Sequence, residues 1–332
     1  MSIELKQEIP VTKKKRRINW TPWFFLAIPL AIYILWIIAP TVYTIYLSFT
    51  NWDGVSQPQV YGYDIPQRSL FYNYERLFNA PEEIFEKLSQ GKPIFEALAN
   101  DKTFGEALQN NLRWLIVFIT VPTTLGLGLA LVFNAEMKGG RIFKVSFYAP
   151  LIISFPVIGL IWAWIYNPNI RLGLINSTLY SLGVVDVPGW LGDKELAIWA
   201  IIFAAVWRQV GYVMILYLAG LKNIDPSLID ASQVDGANRW QMFRHVIMPL
   251  LAPITTIIMV ISVIDSLRSF DLVQVMTRGG QGTQTLANFM YIEAFNNFKM
   301  GYGAAIAVVL FGISLVFISF YLYRTVRQEL EY

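Results

Sequence analysis

Ser262, Asp265, Ser266 and Ser269 recur at i, i+3, i+4 and i+7, a spacing that gathers all four on one face of a helix. A second polar group interrupts another apolar run, at Trp207, Arg208, Gln209 and Tyr212. Stacking rings and short polar groups suit a weak, reversible binding site better than a reaction centre. With no cysteine and a single histidine, His245, thiolate and paired-histidine chemistry is absent, and no carboxylate pair stands at a catalytic spacing. Two structural alternatives stand beside the binding reading. Asp265, Arg268 and Asp271 could pair along a helix at i, i+3, and Trp207 and Tyr212 could be packing aromatics.

The elements that carry these residues are apolar enough to cross a bilayer. The 332 residues are 55% hydrophobic and 15% charged, and a spanning helix needs about 20 apolar residues. Six stretches qualify. One is uncharged from Ile18 to Trp52; the next two lie between Arg113 and Glu136 and between Lys144 and Arg171. The fourth runs from Leu196 to Leu221, the fifth from His245 to Asp265, and the sixth from Lys299 to Arg324. The first is too long for the core of a signal peptide and lacks a small-residue cleavage site, so it reads as a retained span. Lys and Arg concentrate at Lys13–Arg17, Lys138/Arg141/Lys144, Lys222/Arg239/Arg244 and Arg324/Arg327, all on one side, which puts both termini in the cytoplasm. Beside a span, the Lys13–Arg17 block is a topology signal rather than a nucleic-acid patch.

The expected fold is an all-α integral membrane protein. It comprises a basic cytoplasmic tail (1–20), a first span (21–50), an external segment (51–108), a five-helix core (109–325) and a short cytoplasmic tail (326–332). The external segment reads as short helices, PEEIFEKL, PIFEAL and TFGEALQNNL, forming either a solvated cap or a docking surface for an external partner. Arg278 to Gly282 reads as a turn before the next helix rather than a phosphate cradle.

The loop between spans four and five, residues 222–250, is the most punctuated. Asp225 before Pro226 is a helix start, an N-cap acceptor followed by proline at the first helical position. Leu228, Ile229 and Val234 give that helix an apolar stripe. Gly236 then supplies a tight turn or a close backbone approach. Trp240, Phe243, Val246 and Ile247 mark the apolar face of a second helix that Pro249 ends. A helix–glycine–helix element between two spans is a knob for another protein to grip.

At these residues the chain resembles the permease subunits of bacterial ABC importers. Their cytoplasmic signature is filled here by Asp230, Ala231, Ser232 and Gly236, with Asp230 in place of the usual Glu and Ser232 in place of Ala. The fuller pattern of Asp235, Gly236, Ala237, Phe243 and Pro249 resembles the carbohydrate-uptake, maltose-type first-subunit branch. Residues 71–78 (FYNYERLF) and 270–280 (FDLVQVMTRGG) resemble further segments of it. The resemblance implies a multi-pass protein of the bacterial inner membrane that forms half of a sugar path. Its partners would be a second permease, an extracytoplasmic solute-binding protein and two ATPase subunits, which would hold ATP and Mg while this chain binds no cofactor or metal. It also implies that Asp230, Ala231, Ser232, Asp235, Gly236, Ala237 and Phe243 meet an ATPase. The positions matching Gln209, Tyr212, Ser262, Asp265, Ser266 and Ser269 lie on or near the sugar site in that branch, and the polar break within the fourth span adds Trp207 and Arg208 to the expected path. An anionic sugar derivative is the alternative substrate, prompted by Arg208 and Arg268. An ion-coupled carrier is the alternative class, although no half-to-half repeat is visible.

Overall fold

The structure, a computed structural model, describes residues 21–135 and 139–330. The basic tail, with Lys13–Arg17, and Lys138 lie outside the described residues. By its internal contacts the chain divides into two units, residues 1–44 and 45–332.

In the first unit, α1 (Thr21–Tyr33) carries Pro29 and runs through a π-helical turn at Ile34–Ile38 into the start of α2 (Ala39–Leu47), whose last residues, from Ile45, belong to the second unit. Phe24, Phe25, Ile28 and Leu35 are exposed. A helix apolar on all sides is at home in lipid or against another membrane helix, because water would leave its side chains unsolvated.

Three short helices near the start of the second unit, α3 (Tyr72–Leu77), α4 (Pro81–Ser89) and α5 (Ile94–Leu98), form the cap. Next comes the long helix α6 (Lys102–Asn134), capped by the Asp101 carboxylate, which accepts from the Thr103 and Phe104 amides. The TFGEALQNNL stretch is therefore no separate short helix. It forms the first turns of α6, which runs unbroken across the expected 108/109 boundary. Among the described residues there are no strands, only isolated bridges such as Phe78 to Ala99.

The third apolar stretch is broken rather than straight. Here α7 (Gly140–Tyr148), a 3-10 turn at Ala149–Ile152 and α8 (Phe155–Ile165) meet at a bend of 106°. Pro150 and Pro156 each remove a backbone donor, so neither half can continue through the corner. A short helix, α9 (Leu174–Ser181), leads to α10 (Ala197–Lys222).

The loop helices are α11 (Pro226–Val234) and α12 (Arg239–Met242), the latter extended by a π turn at Phe243–Ile247 into α13 (Met248–Leu250). Pro249 does not end this element. The chain turns two residues later, at Leu251, by 64° into α14 (Ala252–Leu267). Pro249 sits at the start of a helical segment, where its missing N–H is tolerated. After an unwound stretch, α15 (Asp271–Met276) and α16 (Leu286–Tyr291) lead into the last helix, α17 (Met300–Leu330). Among the described residues four helices are long and apolar enough to cross a membrane, and counting each bent pair as one span brings the total to six.

The core forms where α10 packs on α6. In lipid no hydrophobic effect drives helices together, so close backbone approach and polar contacts must do so. The first term comes from Ala197, Ala200, Ala204 and Ala205 of α10, all nearly inaccessible. On α6, a Cβ at Gly126 would stand 2.6 Å from Val213 Cγ1, so only glycine lets the helices meet there.

The second term is a set of buried asparagines. Asn110 donates to the carbonyls of Gly282 (2.8 Å) and Gln284 (2.9 Å). Asn111 donates to the Ser266 carbonyl (3.2 Å) and accepts from the Leu286 amide (2.8 Å), joining α6 to α14 and α16. In the cap, Asn73 holds the carbonyls of Ser48 and Thr50, each at 2.9 Å.

Candidate functional site

Two places on this scaffold have unspent chemistry. The first is the loop between α10 and α14. Asp225 accepts from the Ser227 amide at 2.9 Å, and Pro226 opens α11, as the sequence predicts. That amide holds the Asp225 carboxyl below its ordinary range. Gly236 has φ +79°, and a side-chain carbon added there would meet no atom within 4 Å, so the glycine serves the turn and not a close approach. Asn238 then starts α12 with a reciprocal capping box, accepting from the Gln241 amide while Gln241 accepts from its own.

Of the apolar stripe expected on α11, only Ile229 faces the core, where it packs with Ile247 against the inner cluster around Tyr217 and Leu221. Val234 is 88% and Trp240 64% exposed, and Leu228 is exposed as well. Asp230, Ala231, Asp235 and Gly236 are also exposed, while Ala237 and Phe243 are half-buried. Ser232 is buried, its hydroxyl bonded to the Ile229 carbonyl at 2.7 Å. The element is thus locally well capped and carries apolar side chains that its own chain leaves uncovered.

The second place is a cleft of about 150 Å³ walled by Trp114, Phe118, Phe155, Asp265, Arg268 and Ser269, with Phe270 to Leu272 beyond them. Arg208 reaches its edge with the guanidinium carbon 4.1 Å from the Phe155 ring centroid. Arg208 and Arg268 are the cations that act on Asp265. Gln209 is buried and close to Asp265, but its Nε2 closes no hydrogen bond of good geometry. Among the described residues the ion pairs are Lys92–Glu96 and Lys299–Glu293, so the helical pairing of Asp265, Arg268 and Asp271 does not form.

The remaining residues of the expected set are dispersed. Ser262 and Ser266 are buried in α14, and Ser266 bonds the Val263 carbonyl at 2.8 Å. Ser269 leaves the shared helical face because α14 ends at Leu267; it reaches the cleft from the unwound segment instead. Trp207 packs edge-on against Trp162 at 5.7 Å and is itself exposed, while Tyr212 is half-buried. Sequence reasoning missed Trp114, Phe118 and Phe155 as cleft walls. Nothing local distinguishes them from other apolar residues, since α6, α8 and α14 meet only in the folded chain.

Apolar helices of spanning length, two broken elements and a helix–turn–helix with uncovered apolar side chains are features of a membrane protein. Residues 114–332 match the family described as binding-protein-dependent transport system inner membrane component, and the chain belongs to that family. It is 33% identical over 291 residues to the "Probable ABC transporter permease protein PH1215" of Pyrococcus horikoshii, covering 87% of this chain and 89% of that one. It is 29% identical over 307 residues to the xylose/arabinose import permease protein XacH of Haloferax volcanii, covering 92% and 87%. The fold matches a chain in the crystal structure of a bacterial ABC transporter involved in the import of the acidic polysaccharide alginate. That match has a TM-score of 0.70 at 19% identity and covers 93% of this chain and 96% of the other.

Proposed function

We propose that this chain is one of two membrane-spanning subunits of an ATP-driven importer of sugars or oligosaccharides. Six spans, with the bent pairs each counted once, leave both termini in the cytoplasm, and α11–α13 project on that side. There Asp230, Ala231, Ser232, Asp235, Gly236, Ala237 and Phe243 would form the contact with an ATPase subunit. ATP and Mg would be held by two such subunits, and a solute-binding protein would deliver the sugar to the external face. The path would be lined from this side by the cleft at Asp265, with Arg208 and Gln209 beside it and Trp207, Tyr212, Ser262, Ser266 and Ser269 nearby.

The observation that carries the reading is the exposure of Val234 and Trp240 on a rigidly capped helix–turn–helix between two spans. Large apolar side chains at a cytoplasmic loop tip cost solubility unless a partner covers them. The sugar class draws on the import of xylose and arabinose by one relative.

Co-purification with the neighbouring subunits tests the reading. The Gly236→Pro variant places a residue locked at φ near −65° where the turn needs a positive angle. An ATPase that accompanies the wild type and is lost from the variant, with the spans still inserted, supports the reading. Equal co-purification, or none with the wild type, would contradict it.

A further inference from the structure

The cleft beside α14 has walls of two kinds. Trp114 and Phe118 back it with almost no exposed surface and Phe155 is half-buried, while Asp265, Arg268 and Asp271 offer charge. Arg208 adds a second cation at the edge, over Phe155. Two carboxylates and two guanidiniums therefore share one neighbourhood, and none of the four is used up in an ion pair among the described residues. Uncommitted neutral groups surround them: Nε1 of Trp114, Nε2 of Gln209 and Oγ of Ser269 are buried without a hydrogen-bond partner, as is Nε of Arg208.

Most of these buried atoms are donors, whereas Asp265 and Asp271 accept only. A sugar hydroxyl does both, so one ring bearing several hydroxyls can donate to a carboxylate and accept from a guanidinium, an indole or an amide at once. An acidic sugar does less well. Its carboxylate could accept from Arg208 or Arg268, but its charge would then sit near the half-buried Asp265 and the exposed Asp271. Like charges placed that way work against binding and act as discrimination. Equal numbers of each sign leave no net field to recruit an anion.

Resting on the sugar-import reading above, we infer that this cleft selects neutral polyhydroxylated saccharides and disfavours uronates and sugar phosphates. The fold match to an alginate importer does not bear on this, because a likeness at 19% identity carries the fold and not the charges of the cleft.

The test uses the whole importer with its binding protein in proteoliposomes loaded with ATP. It compares the uptake of labelled neutral trisaccharides, uronate trisaccharides and sugar phosphates. Neutral sugars should enter and the acidic ones should enter at least about tenfold more slowly. Asp265→Asn and Arg208→Gln should each lower neutral uptake about tenfold, the loss of one charge-assisted hydrogen bond. The amount of assembled complex and the binding protein's affinity should stay as in the wild type. Preferred uptake of uronates or sugar phosphates would overturn the inference and leave sugar import standing. Wild-type uptake by both variants would overturn it too, by showing that the cleft does not touch the sugar. Entry of some other solute while no sugar enters would bring down the sugar reading itself.

Discussion

The Arg208 guanidinium lies over the Phe155 ring, 4.1 Å from its centroid, and so ties the middle of α10 to the first residue of α8 beyond the 106° corner. A cation inside a span is costly and is retained where it faces a cavity or a partner. Here it has both a ring to lie on and Asp265 nearby. The broken third stretch thus serves a purpose in the fold. The corner brings an aromatic face to the one arginine within α10.

Replacing Gln209 with Ala should lower uptake without lowering the amount of assembled complex. Its Nε2 closes no hydrogen bond of good geometry, so the change breaks no polar contact that the fold relies on. Transport assays paired with quantitation of purified complex check this; a parallel loss of assembly would point to a packing role instead.

Gly126→Ala should destabilise the α6–α10 contact by about 1–3 kcal/mol, because the new methyl would overlap Val213. Two residues on, Gly128→Ala meets open space and should be neutral or slightly stabilising, since alanine favours a helix over glycine. Thermal unfolding of the two variants in detergent should separate them clearly.

Asn111→Ala should cost about 1–2 kcal/mol, since it leaves the Ser266 carbonyl and the Leu286 amide without their partner. The same thermal measurement reads it. Loss of the Tyr302 hydroxyl, which donates to the Asp101 carboxylate at 2.9 Å, should cost at least as much, although Arg76 still stacks on the ring at 3.9 Å.

The Asp225 carboxyl is held below its ordinary value of 3.8 by the Ser227 amide. Its contribution to α11 is therefore complete above that ordinary value and fades as pH falls through the lowered one. Asp225→Ala should remove the contribution at every pH, whereas Asp225→Asn should keep the cap and abolish its dependence on pH. Proteolytic sensitivity of the loop, compared across pH in the three proteins, distinguishes the cases.

What the sequence makes legible is what short-range rules govern. Asp225 before Pro226 and the turn at Gly236 follow from N-cap and backbone preferences, and the structure forms both. The apolar stretches follow from composition alone. The reading falls short where an outcome depends on distant residues. Ser269 shares a helical face with Ser262 only if the helix continues, and it stops at Leu267. Asn110 and Asn111 look like surface residues at the edge of a span. Their partners lie more than 150 residues away, at Ser266, Gly282, Gln284 and Leu286, so nothing local betrays that they are buried. Pro150 and Pro156 did carry a local signal for the corner at the third stretch, but reading between charges passes over it.

Uptake into proteoliposomes containing the complete assembly tests the proposed function most directly, measured with ATP inside and ionophores present, then without ATP and with an imposed ion gradient. An ATP-driven importer accumulates sugar in the first condition and none in the second. Accumulation driven by the gradient alone, and abolished by ionophores, would contradict the assignment and make the chain part of an ion-coupled carrier.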